Sequence, residues 1–514
     1  METLHALMVG LQEIFVLKLF LMMCGVTLVG LLMGAAPGLT ATMAVALLIP
    51  ITFPLSTTYA LVLTGTIYMS AIYGGSFSAI LLNTPGTPSS IATCFDGYPM
   101  AKRGEGQRAI LIASFSSVYG GLFGVIFLLL LAVPLSVIAL KFGPPEYFWL
   151  AVLGMTVIAA LSTGNIVKGF IGGAIGILIS TIGIAPVGGS MRFTMGIANL
   201  NAGVALIPAL IGFFCIPPVL DMVVQREEEI HLLKTSKVQA RLFLETFKEV
   251  MKKQVDLLRA SFIGLFIGML PGAGGSVANL VAYEEAERAS KHPEKFGTGI
   301  PEGIIASETA NNAVVGGAMI PLLTLGVPGS PPAAVMYGAL LMHGVQPGPQ
   351  LFAAGNSQAV FTFIVGLFVA TLLMLPIGIA LAGGMTKLVS RLSIKVLAPF
   401  IIFLTIIGSY SVRNNILDVY IMLTLGVLGY VLKKLGFEPG PITLGLILGP
   451  IAETGLIQSL LIGGTLPHSW MILFKYPLSW VLIILSITSL FWPLFRKIFS
   501  NKASNSQQSP DPEV

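Results

Sequence analysis

From residue 19 to residue 95 the chain carries no Asp, Glu, Lys or Arg, and the same holds from 309 to 386. A helix needs roughly 20 apolar residues to cross a bilayer, so each stretch has room for several crossings. Shorter charge-free runs at 109–140, 147–167, 169–191, 193–220, 260–283, 454–474 and 476–495 suit one crossing each. A soluble domain usually has about 25% charged residues; here the share is 10%, against 55% hydrophobic. A water-soluble globule keeps a large wet exterior that such a composition cannot cover. The runs do not alternate in polarity as barrel strands of about 10 residues do. The sequence therefore predicts an all-α polytopic integral membrane protein of roughly 10–12 spans, with the lipid bilayer as its solvent.

The net charge of +5 comes without a basic patch interleaved with aromatics, so nucleic acid is not an expected partner. Cys24, Cys94 and Cys215 are scattered through apolar segments without metal or redox spacing and read as small packing residues. Glu2 and Glu13 interrupt the beginning, and no small-residue cleavage site follows a short apolar core, so no cleavable signal peptide is expected. Positive charge gathers at Lys102/Arg103/Arg108, Lys168, 226–259, Lys387/Arg391/Lys395, Lys433/Lys434 and Arg496/Lys497/Lys502, which the positive-inside rule assigns to the cytoplasm. Arg192 and Arg413 stand apart from that pattern. Within 226–260, Leu244, Phe247, Met251, Val255 and Leu258 recur at helical spacing and read as an amphipathic arm on the cytoplasmic face.

The two halves repeat. GAAPGLTATMAVAL at 34–47 resembles GMLPGAGGSVANLV at 268–281, and YGGSFSAILLNTPGTP at 73–88 resembles VGGAMIPLLTLGVPGSP at 315–331 with one residue inserted. Further on, Gly154 to Pro186 and Gly408 to Pro439 each hold two spans joined by an Asn-containing turn. The loop after the first hairpin is basic (Lys102–Arg108), whereas its counterpart HGVQPGPQ at 343–350 has no Lys or Arg. Opposite charge bias at equivalent places is the signature of an inverted repeat, which would put the N-terminus on the periplasmic side. The expected divisions are a first inverted repeat at 1–225, a linker arm at 226–260, a second repeat at 261–499 and a disordered polar tail at 500–514.

Pro-Gly clusters interrupt four apolar segments, at Pro37-Gly38, Pro85-Gly86-Thr87, Pro271-Gly272-Ala273-Gly274-Gly275 and Pro328-Gly329-Ser330. Proline removes an amide donor and clashes with the preceding turn, and glycine admits non-helical angles. A lone interruption reads as a kink or a close helix crossing. Paired interruptions at matching places in two repeats point to a transporter's binding site, because bare backbone at membrane depth must be buried in protein or line a wet cavity. Thr40 and Thr42 follow the first break, Asn83 and Thr84 precede the second, Ser276 and Asn279 follow the third, and Thr324 and Ser330 flank the fourth. Each break is expected to start a half-helix whose free amides suit a carboxylate, with the opposing carbonyls suiting Na⁺. No ligands are assigned for such an ion.

No Lys or Arg lies near a break in sequence, so a bound carboxylate would be met by dipoles, hydroxyls and amides alone. Burying its charge is costly on those terms, and a co-bound cation, Na⁺ or H⁺, would relieve that cost. Glu308 opens the second long stretch, with Asn311 and Asn312 close behind, and intramembrane acids are functional candidates by default. Asp96 and Glu453 read as more structural, and His343 as a loop residue. There is no GxSxG elbow, Walker loop, metal spacing or catalytic triad, so neither an enzyme, a cofactor nor an ATP-driven pump is expected.

At these residues the chain resembles the TctA-type large subunit of the tripartite tricarboxylate transporter family. The motifs that carry the resemblance are GAAPGLTATMAVALLIPITF, YGGSFSAILLNTPGTPSSIATCFDGYPMAKRGEG, GMLPGAGGSVANLVAYEEAE and EGIIASETANNAVVGGAMIPLLTLGVPGSPPAAVMYGALLMHGVQPGP. The resemblance implies a permease of the bacterial inner membrane that imports a small organic carboxylate by cation symport. It also implies two partners, a small four-helix membrane subunit (TctB-like) and a periplasmic solute-binding protein (TctC-like). An elevator-type architecture is implied too, with 30–106 and 266–350 as the moving part. A stand-alone carboxylate carrier is the main alternative, and an intramembrane enzyme or a channel is a remote one.

Overall fold

The computed structural model describes residues 2–161, 165–224, 240–352, 357–384 and 394–506. The beginning of the predicted arm (225–239), the basic cluster at Lys387 and Arg391, and the tail from 507 onward lie outside the described residues. The chain divides into two compact units, one of Met1–Lys141 with Val204–Leu435, the other of Phe142–Gly203 with Gly436–Val514.

The first unit contains α1 (Glu2–Ile14), α2 (Leu17–Ala35), α3 (Ala41–Thr52), α4 (Thr57–Leu82), α5 (Ile91–Met100) and α6 (Gly106–Ala139). In the second, α7 (Pro144–Leu161) and α8 (Ile166–Ser180) precede a two-residue antiparallel pair, Gly183–Ile184 with Met191–Arg192. The chain then returns to the first unit with α9 (Leu206–Val224), α10 (Ala240–Met251), α11 (Gln254–Met269), α12 (Gly274–Ala289), α13 (Pro301–Leu325), α14 (Pro331–Met342), α15 (Ser357–Ala382), α16 (Ile394–Arg413) and α17 (Ile416–Lys434). The second unit closes with α18 (Pro439–Ile462) and α19 (Pro477–Ser506). Among the described residues, 8 helices are long and apolar enough to cross a membrane, and several apolar helices of 10–17 residues accompany them. The short ones, α3 and α14 among them, are what the Pro-Gly interruptions leave of longer apolar runs.

Within the described residues the predicted arm is not one helix: α10 runs from Ala240 to Met251, and α11 takes its end from Gln254 onward. Lys252 and Lys253 turn the chain, and Val255 and Leu258 belong to α11. The Lys253 ammonium is 2.7 Å from the Glu302 carboxylate at the start of α13 and pins this turn.

Packing within the first unit follows the sequence repeat. α2 packs on α4 as α11 packs on α13, α4 on α15 as α13 on α6, and α1 on α15 as α10 on α6. Glycines set the register. Gly30 and Gly34 of α2 face Ile67 and Ala71 of α4, while Gly264 and Gly268 of α11 face Ala310 and Val314 of α13. Small residues four apart let two backbones approach closely in a membrane, where no hydrophobic force draws helices together. The packing also corrects the sequence match. Gly74 meets Leu31 and Gly317 meets Leu265, so these two are the equivalent glycines, and both precede their Pro-Gly break by the same interval. No inserted residue is needed.

In the second unit, α18 lies on α7 and α8 in the way that α9, in the first, lies on α16 and α17. Asn165 caps α8 by accepting from the Val167 amide at 2.9 Å, and Asn415 caps α17 by accepting from Leu417 at 3.0 Å, which is why both turns contain Asn. The two arginines outside the positive-inside pattern are paired. Arg192 binds Glu453 through both oxygens, at 2.6 and 3.1 Å, and Arg413 lies 2.5 Å from the fully buried Asp418. A paired arginine adds no net charge to its loop.

Candidate functional site

All four Pro-Gly clusters separate helices inside the first unit. Pro37 and Gly38 lie between α2 and α3, and Gly38 takes φ 86°, which a side chain would resist. The helix before each symmetric break ends against the next break. A Cβ on Gly86 would overlap the carbonyl oxygen of Gly34, and one on Gly329 would overlap that of Gly268. Glycine is required at both places because backbone occupies the space.

The half-helices that follow start in different ways. Thr40 caps α3, its hydroxyl accepting from the Met43 amide at 3.1 Å. Ser330 caps α14, accepting from Ala333 at 3.3 Å while its hydroxyl also pairs with Tyr68 at 2.8 Å. Thr87 opens a short 3-10 turn, Pro88–Ser90, that leads into α5. α12 begins at Gly274 with no side-chain cap, so its first-turn amides keep no internal acceptor.

Three of the breaks converge there. A Cβ on Gly275 would stand 2.7 Å from the Ser89 Cβ and 2.8 Å from Asn311 Oδ1, and one on Gly274 would stand 3.4 Å from Pro331 and 3.6 Å from Ser330. The uncapped end of α12 thus meets the second break on one side and the fourth on the other. Asn279, one turn into α12, accepts from the Ala92 amide at 2.7 Å and donates to the Ser307 carbonyl at 3.3 Å. This ties α5, α12 and α13 together.

Behind this junction α13 carries a run of fully buried polar residues, Ser307, Glu308, Thr309, Asn311 and Asn312. α6 presses against that run through Gly120 and Gly124, which face the backbone of Thr309 and Ala313. The close approach brings Ser117 of α6 to 3.0 Å from Glu308 Oε2, while Thr93 of α5 lies 2.5 Å from Oε1. Asn311, one turn further along α13, also turns its side chain toward Glu308.

Not every predicted residue joins the junction. Asn83 ends α4 in the left-handed conformation at φ 54°, and it and Thr84 are exposed. Asn83 lines an open cavity of about 460 Å³ with Tyr98, Lys102 and Tyr283. Lys102, remote from any break in sequence, thereby comes near one in space. Thr42 is buried in the first turn of α3, and Asn312 turns its amide toward Met69 and Met374. Pro271 and Gly272 form the turn before α12, with Gly272 at φ 73°. Ser276 lies in the first turn of α12 and Pro328 in the turn before Ser330. Asp96 is fully buried and accepts from the Gly299 and Ile300 amides at 2.7 and 3.0 Å and from the Tyr283 hydroxyl at 2.9 Å. It holds the loop that enters α13, which Arg103 grips through the carbonyls of Thr298 and Gly299. Glu453 belongs to the other unit. His343 ends α14, 3.3 Å from the Thr52 hydroxyl.

Sequence reasoning missed Thr93, Ser117, Ser307 and Tyr68. None adjoins a Pro-Gly break. The one available signal was the hydroxyl-rich SFSS at 114–117 in an otherwise apolar span.

A bundle of membrane-length helices, with broken helices meeting at an uncapped N-terminus beside a buried acid, defines a multi-pass membrane transporter. Residues 19–444 match the tripartite tricarboxylate transporter TctA family, and the chain belongs to that family. It is 36% identical over 438 residues, 85% of this chain and 86% of the relative, to an uncharacterized 52.8 kDa protein in the TAR-I ttuC' 3' region of Agrobacterium vitis. A second Agrobacterium vitis protein, in the TAR-II ttuC' 3' region, is 38% identical over 200 residues, 39% of this chain and 81% of that protein. No solved structure matches the chain.

Proposed function

We propose that this protein is the permease subunit of a binding-protein-dependent secondary transporter, and that it imports a small di- or tricarboxylate, or an aromatic carboxylate, by cation symport across the bacterial inner membrane. The observation that carries this reading is the uncapped start of α12 at Gly274-Gly275, enclosed by Ser89 and Ser330. Free helix amides attract carboxylates through their N–H groups and the helix dipole, and the two glycines leave the backbone open to approach. With hydroxyls and amides but no basic side chain at the junction, class recognition of an anion is favoured over recognition of one carbon skeleton. Selectivity among acids then falls to a periplasmic solute-binding partner, with a small four-helix membrane subunit completing the assembly, as the family description implies.

The repeated packing of α2–α4 and α11–α13 within one unit supports an alternating-access movement of the broken-helix region. Proteoliposomes holding the permease, with and without both partners, test the proposal by uptake of labelled citrate and related acids under imposed Na⁺ or proton gradients. Partner-dependent, saturable uptake is expected. Uptake that needs no partner would favour a stand-alone carrier, and no uptake of any carboxylate would refute the reading.

A further inference from the structure

Two helices lead away from the junction side by side. Gly275, Asn279 and Tyr283 are spaced four apart on one face of α12, and they meet α5 and its leading turn in order. Gly275 lies against Ser89, Asn279 accepts from the Ala92 amide, and the Tyr283 hydroxyl donates to Asp96. At about 1.5 Å per residue, Tyr283 is roughly 12 Å beyond Gly275.

There the two helices border the open cavity of about 460 Å³. Phe95, Tyr98 and Tyr283 wall it, Asn83 adds a side-chain amide and Lys102 an ammonium. Phe95 and Tyr283 meet edge to face with ring centroids 5.2 Å apart.

The chain beyond α5 aims Lys102 at this place. Ala101–Glu105 forms a π-helical turn with Gly104 at φ 85°, a feature frequent at functional sites. Lys102 stands over the Tyr98 ring, its Nζ 5.0 Å from the centroid. Arg103 turns instead to the Thr298 and Gly299 carbonyls and to Glu105. Asp96 accepts from the Gly299 and Ile300 amides. Among the described residues no carboxylate pairs with Lys102. Its loop is basic and so cytoplasmic, and Arg108 meets Glu249 of α10 at 2.6 Å, which brings the second basic stretch to the same face.

An ammonium beside an amide receives one carboxylate, and the rings cover a flat apolar body. A tricarboxylate would leave two of its charges facing aromatic walls, which is costly.

We propose that this cavity is the cytoplasmic site from which the transported acid is released, and that it selects a carboxylate carrying an aromatic ring. The proposal rests on the transport reading above and narrows its substrate class. The carboxylate pairs with Lys102 and Asn83, and the ring lies among Phe95, Tyr98 and Tyr283. The acid reaches it from the Ser89–Gly275 junction along the shared face of α5 and α12.

Thiol labelling of the purified full chain tests the site without any transport. Asn83→Cys is treated with a maleimide, and modification at that position is read by peptide mass. Benzoate is expected to slow the labelling, and citrate at equal concentration to slow it less. Adding Lys102→Gln should raise the benzoate concentration required at least tenfold, Lys102→Arg should restore most of the protection, and Phe95→Ala should weaken it. Lys102 is exposed, so its replacement should leave the melting temperature unchanged. Equal protection with and without the lysine, or better protection by citrate than by benzoate, overturns the proposal. In proteoliposomes with both partners, Lys102→Gln alone should slow benzoate uptake several-fold; uptake at the wild-type rate puts the cavity off the route and overturns it too. Wild-type uptake of citrate without uptake of benzoate refutes the proposal and leaves carboxylate transport standing. If no carboxylate is taken up in any gradient, the transport reading falls and the release role with it.

Discussion

Replacing Gly329 by alanine adds one methyl group where the structure has no room for it. Its Cβ would overlap the Gly268 carbonyl oxygen and lie 3.0 Å from the Ala318 Cα. Both obstacles are helix backbone, in α11 and α13, so no side chain can rotate away. The helices must part, and overpacking of this kind costs typically about 1–3 kcal/mol. At 1.4 kcal/mol per tenfold, that lowers the population of the tightly packed arrangement roughly 5- to 150-fold. The displacement falls on the turn that positions Ser330 and, through it, the Gly274 end of α12. Transport should therefore fall further than folded protein does.

Gly25→Ala is the internal control. It lies within α2, nothing stands within 4 Å of its added Cβ, and its φ is ordinary. Alanine in a helix is favoured over glycine by roughly 0.8–1.0 kcal/mol, so this variant should be neutral or slightly stabilised. The assay is melting temperature in detergent beside initial uptake in proteoliposomes, at matched protein levels. Gly86→Ala, which meets the Gly34 carbonyl in the same way, should behave as Gly329→Ala does. If Gly329→Ala melts and transports like the wild type, the close backbone contact is not what holds this break.

Tyr68→Phe removes the hydroxyl that meets Ser330 and should cost about 1 kcal/mol, read as a lower melting temperature with a modest loss of uptake. Asp96→Asn weakens the acceptor for two amides and a phenol; charge-assisted bonds are worth about 1.5–3 kcal/mol each, and amide hydrogen exchange at Gly299 and Ile300 should accelerate measurably. In a double-mutant cycle on thermal stability, Arg192→Ala and Glu453→Gln should couple by about 1 kcal/mol, as partly exposed pairs do. Zero coupling would show that the pair does not hold its loop.

The membrane class and the four interruptions were legible in the chain itself. Charge-free stretches at 19–95 and 309–386 leave lipid as the only workable solvent, and proline and glycine act locally, through a missing amide and a missing Cβ. The repeat was legible for the same reason, since glycine spacing is written in sequence. Its register was not, because Gly74 and Gly75 look alike until one of them meets Leu31.

What surrounds Glu308 could be decided only by tertiary structure. Thr93, Ser117 and Ser307 come from three helices, and nothing in the sequence says that the three meet. They meet because Gly120 and Gly124 let α6 approach α13 at backbone distance. Likewise the nearness of Lys102 to Asn83, and of Ser89 to Gly275, follows from how half-helices fold back on one another. Local chemistry determines where a helix must stop. Which stops come together is set by close packing between segments far apart in the chain, and no local pattern encodes that.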